Sequence, residues 1–105
     1  MLTEKMQRTV GDWATKNFGA GRPSYWPLLG VVEEVGELCH AHLKGEQGVR
    51  TNEDHLANAK DAVGDILIYM MDYCECMGFD MEEIFNETWA EVSKRDWKKN
   101  PETGI

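Results

Sequence analysis

Glu33-Glu34-Val35-Gly36-Glu37 and Asp61-Ala62-Val63-Gly64-Asp65 are the stretches whose reading decides this chain. Each lies in a segment whose apolar residues recur at helical spacing. At about 100° per residue, Glu33 and Glu37 stand one above the other and Glu34 flanks them. The same arithmetic places Asp61, Asp65 and Asp72 on one stripe of the later segment. Like charges four residues apart cost a helix roughly 0.2–0.5 kcal/mol per pair. A sequence that accepts this cost twice implies something cationic between the two stripes.

Working outward, four helices are expected. The first runs from about Thr3 to Phe18, with Met6, Val10, Trp13 and Ala14 at helical spacing, and Gly19-Ala20-Gly21-Arg22-Pro23 ends it. The second starts near Pro27, a residue suited to a first turn, and continues to about Lys44, where Gly45 stops it. Its apolar face holds Val32, Val35, Leu38, Cys39, His42 and Leu43. A polar stretch follows to Asn52. The third helix begins between Glu53 and Leu56 and runs to Met77, with Ala59, Val63, Ile66, Leu67, Met70 and Cys74 on its buried side. Gly78 ends it. Asp80 caps a fourth helix carrying Ile84, Phe85, Thr88, Trp89 and Val92. That helix frays after Arg95-Asp96-Trp97, and Pro101 closes the ordered region. No β-alternation, internal repeat or low-complexity linker interrupts this pattern. The expectation is one all-α domain over residues 1–105, an antiparallel four-helix bundle.

Composition narrows the function classes. Of 105 residues, 42% are hydrophobic and 29% charged, which is the balance of a folded chain rather than a disordered one. Nineteen acids against 11 Lys and Arg leave a net charge of −8, which argues against nucleic acid polymers and anionic membranes as partners. A small anionic ligand stays compatible if a metal bridges it to the acids. Cys39, Cys74 and Cys76 lack the spacing of a zinc knuckle or a disulfide framework, so free thiols in a reducing compartment are expected. The N-terminus has no signal-peptide core and no apolar run spans a bilayer, which points to the cytoplasm. Tyr69, Met70, Met71 and Tyr73 cover more than one side of the third helix. Either the chain self-associates or these residues are partly exposed.

Two facing helices that carry carboxylates can place three or four oxygens around Mg²⁺, which is usually held by one or two carboxylates plus substrate phosphates. The plainer alternative is two solvated acidic faces. Gly36 and Gly64, each costing a helix about 1 kcal/mol relative to Ala, make sense if they allow close helix approach or ligand access. Glu37-Leu38-Cys39-His40 has the Glu-x-x-His spacing of di-iron bundles, but the later helix has no matching histidine. His40 falls on the acidic stripe. His42 falls on the apolar face and reads as a core histidine, and His55 as a loop or helix-start residue. Ser24 and Ser93 have no evident triad partners. With no glycine-rich phosphate loop, basic side chains such as Lys44, Arg50, Lys60, Lys94 and Arg95 are the candidates to meet phosphate.

These residues resemble a known family. Glu34-x-x-Glu37, a spacer of some two dozen residues, and a helix with Gly64-Asp65 are similar to the E-x-x-E … E-x-x-D pattern of the MazG-like all-α nucleoside triphosphate pyrophosphohydrolases. The likeness includes Leu29 to Leu38, Val63 to Tyr69, Gly78-Phe79-Asp80 and Lys94-Arg95, and spans most of the chain from Tyr25 to Trp97. It departs at Ala62, where the family places an acid. Asp61, four residues before Asp65, lies on the same face.

The resemblance implies Mg²⁺-dependent cleavage (with Mn²⁺ as an alternative) between the α- and β-phosphates of a nucleoside triphosphate. It also implies a homodimer or homotetramer. Glu34, Glu37, Asp61 and Asp65 would hold the metal, and Glu33 would orient or deprotonate the attacking water. Lys44, Lys94 and Arg95 would meet the triphosphate, and Trp26 or Trp13 would stack on the base. A non-catalytic helical-bundle interaction protein is the alternative of a different class.

Overall fold

The computed structural model describes residues 2–105 and is all-helical among them. Helix α1 spans Leu2–Phe18, α2 Tyr25–Gln47, α3 His55–Met77 and α4 Met81–Val92. Side-chain caps and left-handed glycines set most boundaries. The Asp54 carboxylate accepts the Ala57 amide at 3.0 Å and starts α3. Asp80 accepts the amides of Glu82 and Glu83 and starts α4. Gly48, at φ 67°, and Gly78, at φ 69°, take the left-handed turn that ends α2 and α3. Helix α2 therefore passes through Gly45 and stops one turn later than its composition suggests. Helix α4 stops at Val92, and Asp96 caps a separate short turn through the amides of Lys98 and Lys99.

The backbone of the molecule is the antiparallel hairpin of α2 and α3. Gly30 meets Tyr69 at one end and Gly45 meets His55 at the other. At ~1.5 Å per residue each 23-residue arm is about 35 Å long. The arms touch through small residues. Gly30, Ala41 and Ala62 are buried, and a Cβ on Gly30 would sit 2.5 Å from the Tyr69 ring. Glycine at 30 is therefore the close-approach residue. Gly36 and Gly64, expected to allow close helix approach or ligand access, do not serve the first: no atom lies within 4 Å of where a Cβ would stand, because both point off the contact line.

Two polar links hold the other helices to this hairpin. Arg22, in the α1–α2 corner, donates from Nη2 to Asp72 Oδ1 at 2.6 Å and from Nε to Oδ2 at 3.3 Å. Its Nη1 donates to Thr15 and to the Gly19 carbonyl. Both side chains of the pair are less than a tenth exposed. Asp72 is thus taken out of the acidic stripe by a buried cation the helical arithmetic could not see. Gln7 of α1, also buried, clamps the α3–α4 corner. Its Nε2 donates to Glu75 Oε1 at 2.9 Å and to the Phe79 carbonyl at 2.7 Å, and its Oε1 accepts the Met81 amide at 2.8 Å.

The apolar core is thin. Its buried hydrophobic members are Ala14, Ala41, Ala62 and Cys74. Of the face expected to be buried on α2, only Leu38 is half-buried, while Val32, Val35, Cys39, His42 and Leu43 are exposed. His42 pairs with Glu46 at the surface rather than sitting in a core. On α3, Val63 and Leu67 are exposed, Ala59, Ile66 and Met70 half-buried, and Cys74 buried. Tyr69, Met70, Met71 and Tyr73 are all half-buried. The three cysteines are free thiols. No helix among the described residues is long and apolar enough to cross a membrane.

Candidate functional site

The hairpin brings the two acidic stretches face to face. A cleft of about 550 Å³ between α2 and α3 is lined by Glu33, Gly36, Glu37, His40 and Ala41 from α2 and by Asn58 and Asp61 from α3, with Glu53 from the connecting loop. That loop turns through Arg50, whose backbone is left-handed at φ 50°, and closes with the Glu53 amide on the Arg50 carbonyl at 3.0 Å. His55 Nε2 meets the Val49 carbonyl at 2.9 Å and ties the loop to the start of α3.

Glu34 lies deeper, on the contact line of the helices. Its Oε2 is buried and has no hydrogen-bond partner. Burial of the carboxyl, then the charges of Asp65, Glu37, Glu33 and Asp61, push its pKa above the ordinary carboxylate value. Tyr69 stands beside this cluster. Burial, then Glu33, Glu34 and Asp65, push its phenol up. Five carboxylates from two helices therefore share one neighbourhood, and one oxygen among them is sealed from water without a donor. An acceptor sealed off and left unpaired is costly, and a bound cation is one way to satisfy it.

The sequence-derived ligands Glu34, Glu37, Asp61 and Asp65 thus come together, with Glu33 at the cleft wall. They stand apart rather than in a closed cage: among the described residues no three acidic, histidine or cysteine side chains converge as a ready-made metal set. Ala62, where the resembled pattern has an acid, is buried in the helix contact and offers no oxygen. The donor set fits Mg²⁺, which tolerates few protein ligands and keeps waters of its own.

The remaining candidates are not brought to the cleft within one chain. Lys44 is half-buried and its amine donates to Gln47. Lys94 lies within 4.0 Å of Glu91 past the end of α4, and Arg95 packs near Gly104. Trp26 borders a separate hollow with Phe18, Arg22, Pro27, Tyr69 and Asp72. Trp13 stacks edge-on with Phe18 at 5.7 Å. Sequence reasoning passed over Asn58 and Glu53. Asn58 was legible, three residues before Asp61 on the same stripe. Glu53 was not, because a loop residue has no periodicity to place it.

No protein-family model matches the chain, and no curated protein or solved structure matches it either.

Proposed function

We propose that the chain is a Mg²⁺-dependent nucleoside triphosphate pyrophosphohydrolase that works in the cytoplasm as a homodimer or homotetramer. The observation that carries this reading is the buried, unpartnered Glu34 Oε2 among Asp65, Glu37, Glu33 and Asp61, three of which (Glu33, Glu37 and Asp61) line an open cleft. The likeness of Glu34-x-x-Glu37 and Gly64-Asp65 to the MazG-like pattern supplies the substrate class. A cleft of this volume suits a small molecule rather than a polymer.

In this reading Glu34, Glu37, Asp61 and Asp65 hold Mg²⁺. Bound there, the ion supplies the positive charge that neutralises phosphate and acidifies water. Glu33, turned about 100° from Glu34, orients the attacking water and accepts its proton. Water oxygen bonds to the α-phosphorus, the bond from that phosphorus to the α–β bridging oxygen breaks, and pyrophosphate leaves. In this reading Asn58 and His40, which line the cleft, donate hydrogen bonds to phosphate oxygens.

Purified protein incubated with Mg²⁺ and a panel of canonical and modified nucleoside triphosphates is expected to release pyrophosphate. Glu37→Gln and Asp65→Asn are each expected to abolish release. A folded, assembled sample that releases none from any nucleotide would sink the enzyme reading. The second reading is a non-catalytic helical interaction protein. Ala62 favours it, because the third acid of the pattern, the first of its second motif, is replaced by a buried methyl.

A further inference from the structure

We propose that Glu53 reads the base of the substrate, and that it favours a nucleoside triphosphate whose base carries an exocyclic amine over the keto counterpart. The inference rests on the hydrolase reading of the cleft and narrows its substrate class. Four acids line the cleft: Glu33, Glu37, Glu53 and Asp61. In that reading Glu37 and Asp61 hold the metal and Glu33 handles the water, which leaves Glu53 without a task. Among the described residues no Lys or Arg lines the cleft, so the carboxylate of Glu53 faces the cavity without a cation on its wall.

The position of Glu53 fixes which part of the substrate it meets. Both arms of the hairpin present the same order from the acidic cluster towards the loop. On α2, Glu37 is followed by His40, and on antiparallel α3, Asp61 is preceded by Asn58. Beyond both pairs comes Glu53, in the loop that joins the arms. Helix α3 rises about 9 Å between its first residue, His55, and Asp61, and Glu53 lies two residues before that start. An unmatched carboxylate at that end repels a polyphosphate. The uncharged nucleoside is the part of the substrate that can lie there. Its sugar is bonded directly to an α-phosphate oxygen and stays near the metal, so the base is what reaches the loop.

Chemistry then sets the preference. An ionised carboxylate accepts hydrogen bonds and donates none. An exocyclic amine, on cytosine or adenine, donates to it, the pairing by which Glu reads cytosine in a nucleic acid groove. A carbonyl at the same place is a second acceptor, and two facing acceptors repel. The loop holds the carboxylate at its post. The Glu53 amide closes on the Arg50 carbonyl at 3.0 Å, and Arg50 Nη1 stands 4.0 Å from Glu53 Oε2. Arg50 itself does not line the cleft, so it steadies Glu53 without occupying the site.

Steady-state kinetics on matched pairs test this. With Mg²⁺, kcat/KM should favour dCTP over dUTP and dATP over dITP by at least about fivefold, the low end for a base contact because Glu53 is exposed. Glu53→Gln adds a donor beside the remaining carbonyl acceptor and should bring both ratios close to one, with the dCTP-to-CTP ratio unchanged. Circular dichroism checks that the variant stays helical. Equilibrium binding of α,β-imido dCTP and dUTP, which resist α–β cleavage, makes the same comparison without turnover. Wild-type ratios near one, ratios that Glu53→Gln leaves alone, or an equal loss on every nucleotide would overturn the proposal. So would a shift in the dCTP-to-CTP ratio, which would make Glu53 a reader of the sugar. Cleavage without amine preference removes this proposal and spares the hydrolase. Amine-selective binding without cleavage removes the hydrolase and spares the base reading.

Discussion

At the scale of one residue, Glu34 carries the tension in the structure. Glu34 is half-buried, one oxygen is sealed without a donor, and burial, then the charges of four other carboxylates, raises its pKa. A group whose folded pKa lies above its unfolded value binds more protons in the folded state. Its contribution to stability is therefore present below the unfolded value, near 4.5, and is lost as pH rises through the folded one. At neutral pH without metal, ionised Glu34 opposes folding. Glu34→Gln is expected to raise the melting temperature of the metal-free protein at pH 7 while abolishing pyrophosphate release. In the proposed reading Mg²⁺ stabilises the wild type by binding the folded state alone, and the same substitution should remove most of that stabilisation. Thermal melts with and without Mg²⁺, together with the pyrophosphate assay, check all three. An unchanged melting temperature would mean that Glu34 is solvated and that its environment is not what drives cation binding.

At the scale of the elements, the hairpin depends on one glycine and not on the two that the acidic motifs display. In an open helix Gly→Ala stabilises by roughly 0.5–1 kcal/mol. Gly36→Ala and Gly64→Ala should follow that rule, because nothing lies within 4 Å of either. Gly30→Ala should reverse it. Its methyl would meet the Tyr69 ring at 2.5 Å, and overpacking of this kind costs about 1–3 kcal/mol. Urea denaturation of the three variants compares the signs directly. Gly36→Ala should also narrow the cleft it lines, and so weaken substrate binding without weakening the fold. The Arg22–Asp72 link makes a second element-scale prediction. Asp72→Ala would leave a buried guanidinium unpaired, at a cost of about 3–5 kcal/mol. Denaturant midpoints for Asp72→Ala should fall far more than those for Asp61→Ala, which stands in the open stripe.

At the scale of the molecule, charge and apolar surface oppose each other. In the proposed homo-oligomer each copy brings a charge of −8, and the repulsion between copies weakens as ions screen it. Association driven by exposed apolar residues such as Val32 and Leu67 should therefore tighten as salt rises. Sedimentation equilibrium at low and high sodium chloride measures it, and dissociation at high salt would point to an interface held by ion pairs instead.

The helices themselves were legible in the chain because the signals are local. Asp80 and Gly78 read as caps from the chain alone, and the 3.6-residue period marks each face, whereas α2 runs on past Gly45 to a cap at Gly48. The clustering of Glu33, Glu34 and Glu37 with Asp61 and Asp65 was legible for the same reason, since a short-looped hairpin places two stripes opposite each other. What periodicity cannot report is what lies across from a face. It assigned Asp72 to the acidic stripe, but a buried Arg22 fifty residues away claims it. It assigned Val32, Val63 and Leu67 to a core, but one chain leaves them in water. It offered Gly36 and Gly64 for close approach or ligand access, but the close crossing falls at Gly30. The sequence by itself determined which residues share a side of a helix, because that depends only on backbone geometry. Only the tertiary structure decided which sides meet, because that depends on side chains far apart in the chain competing for the same buried space.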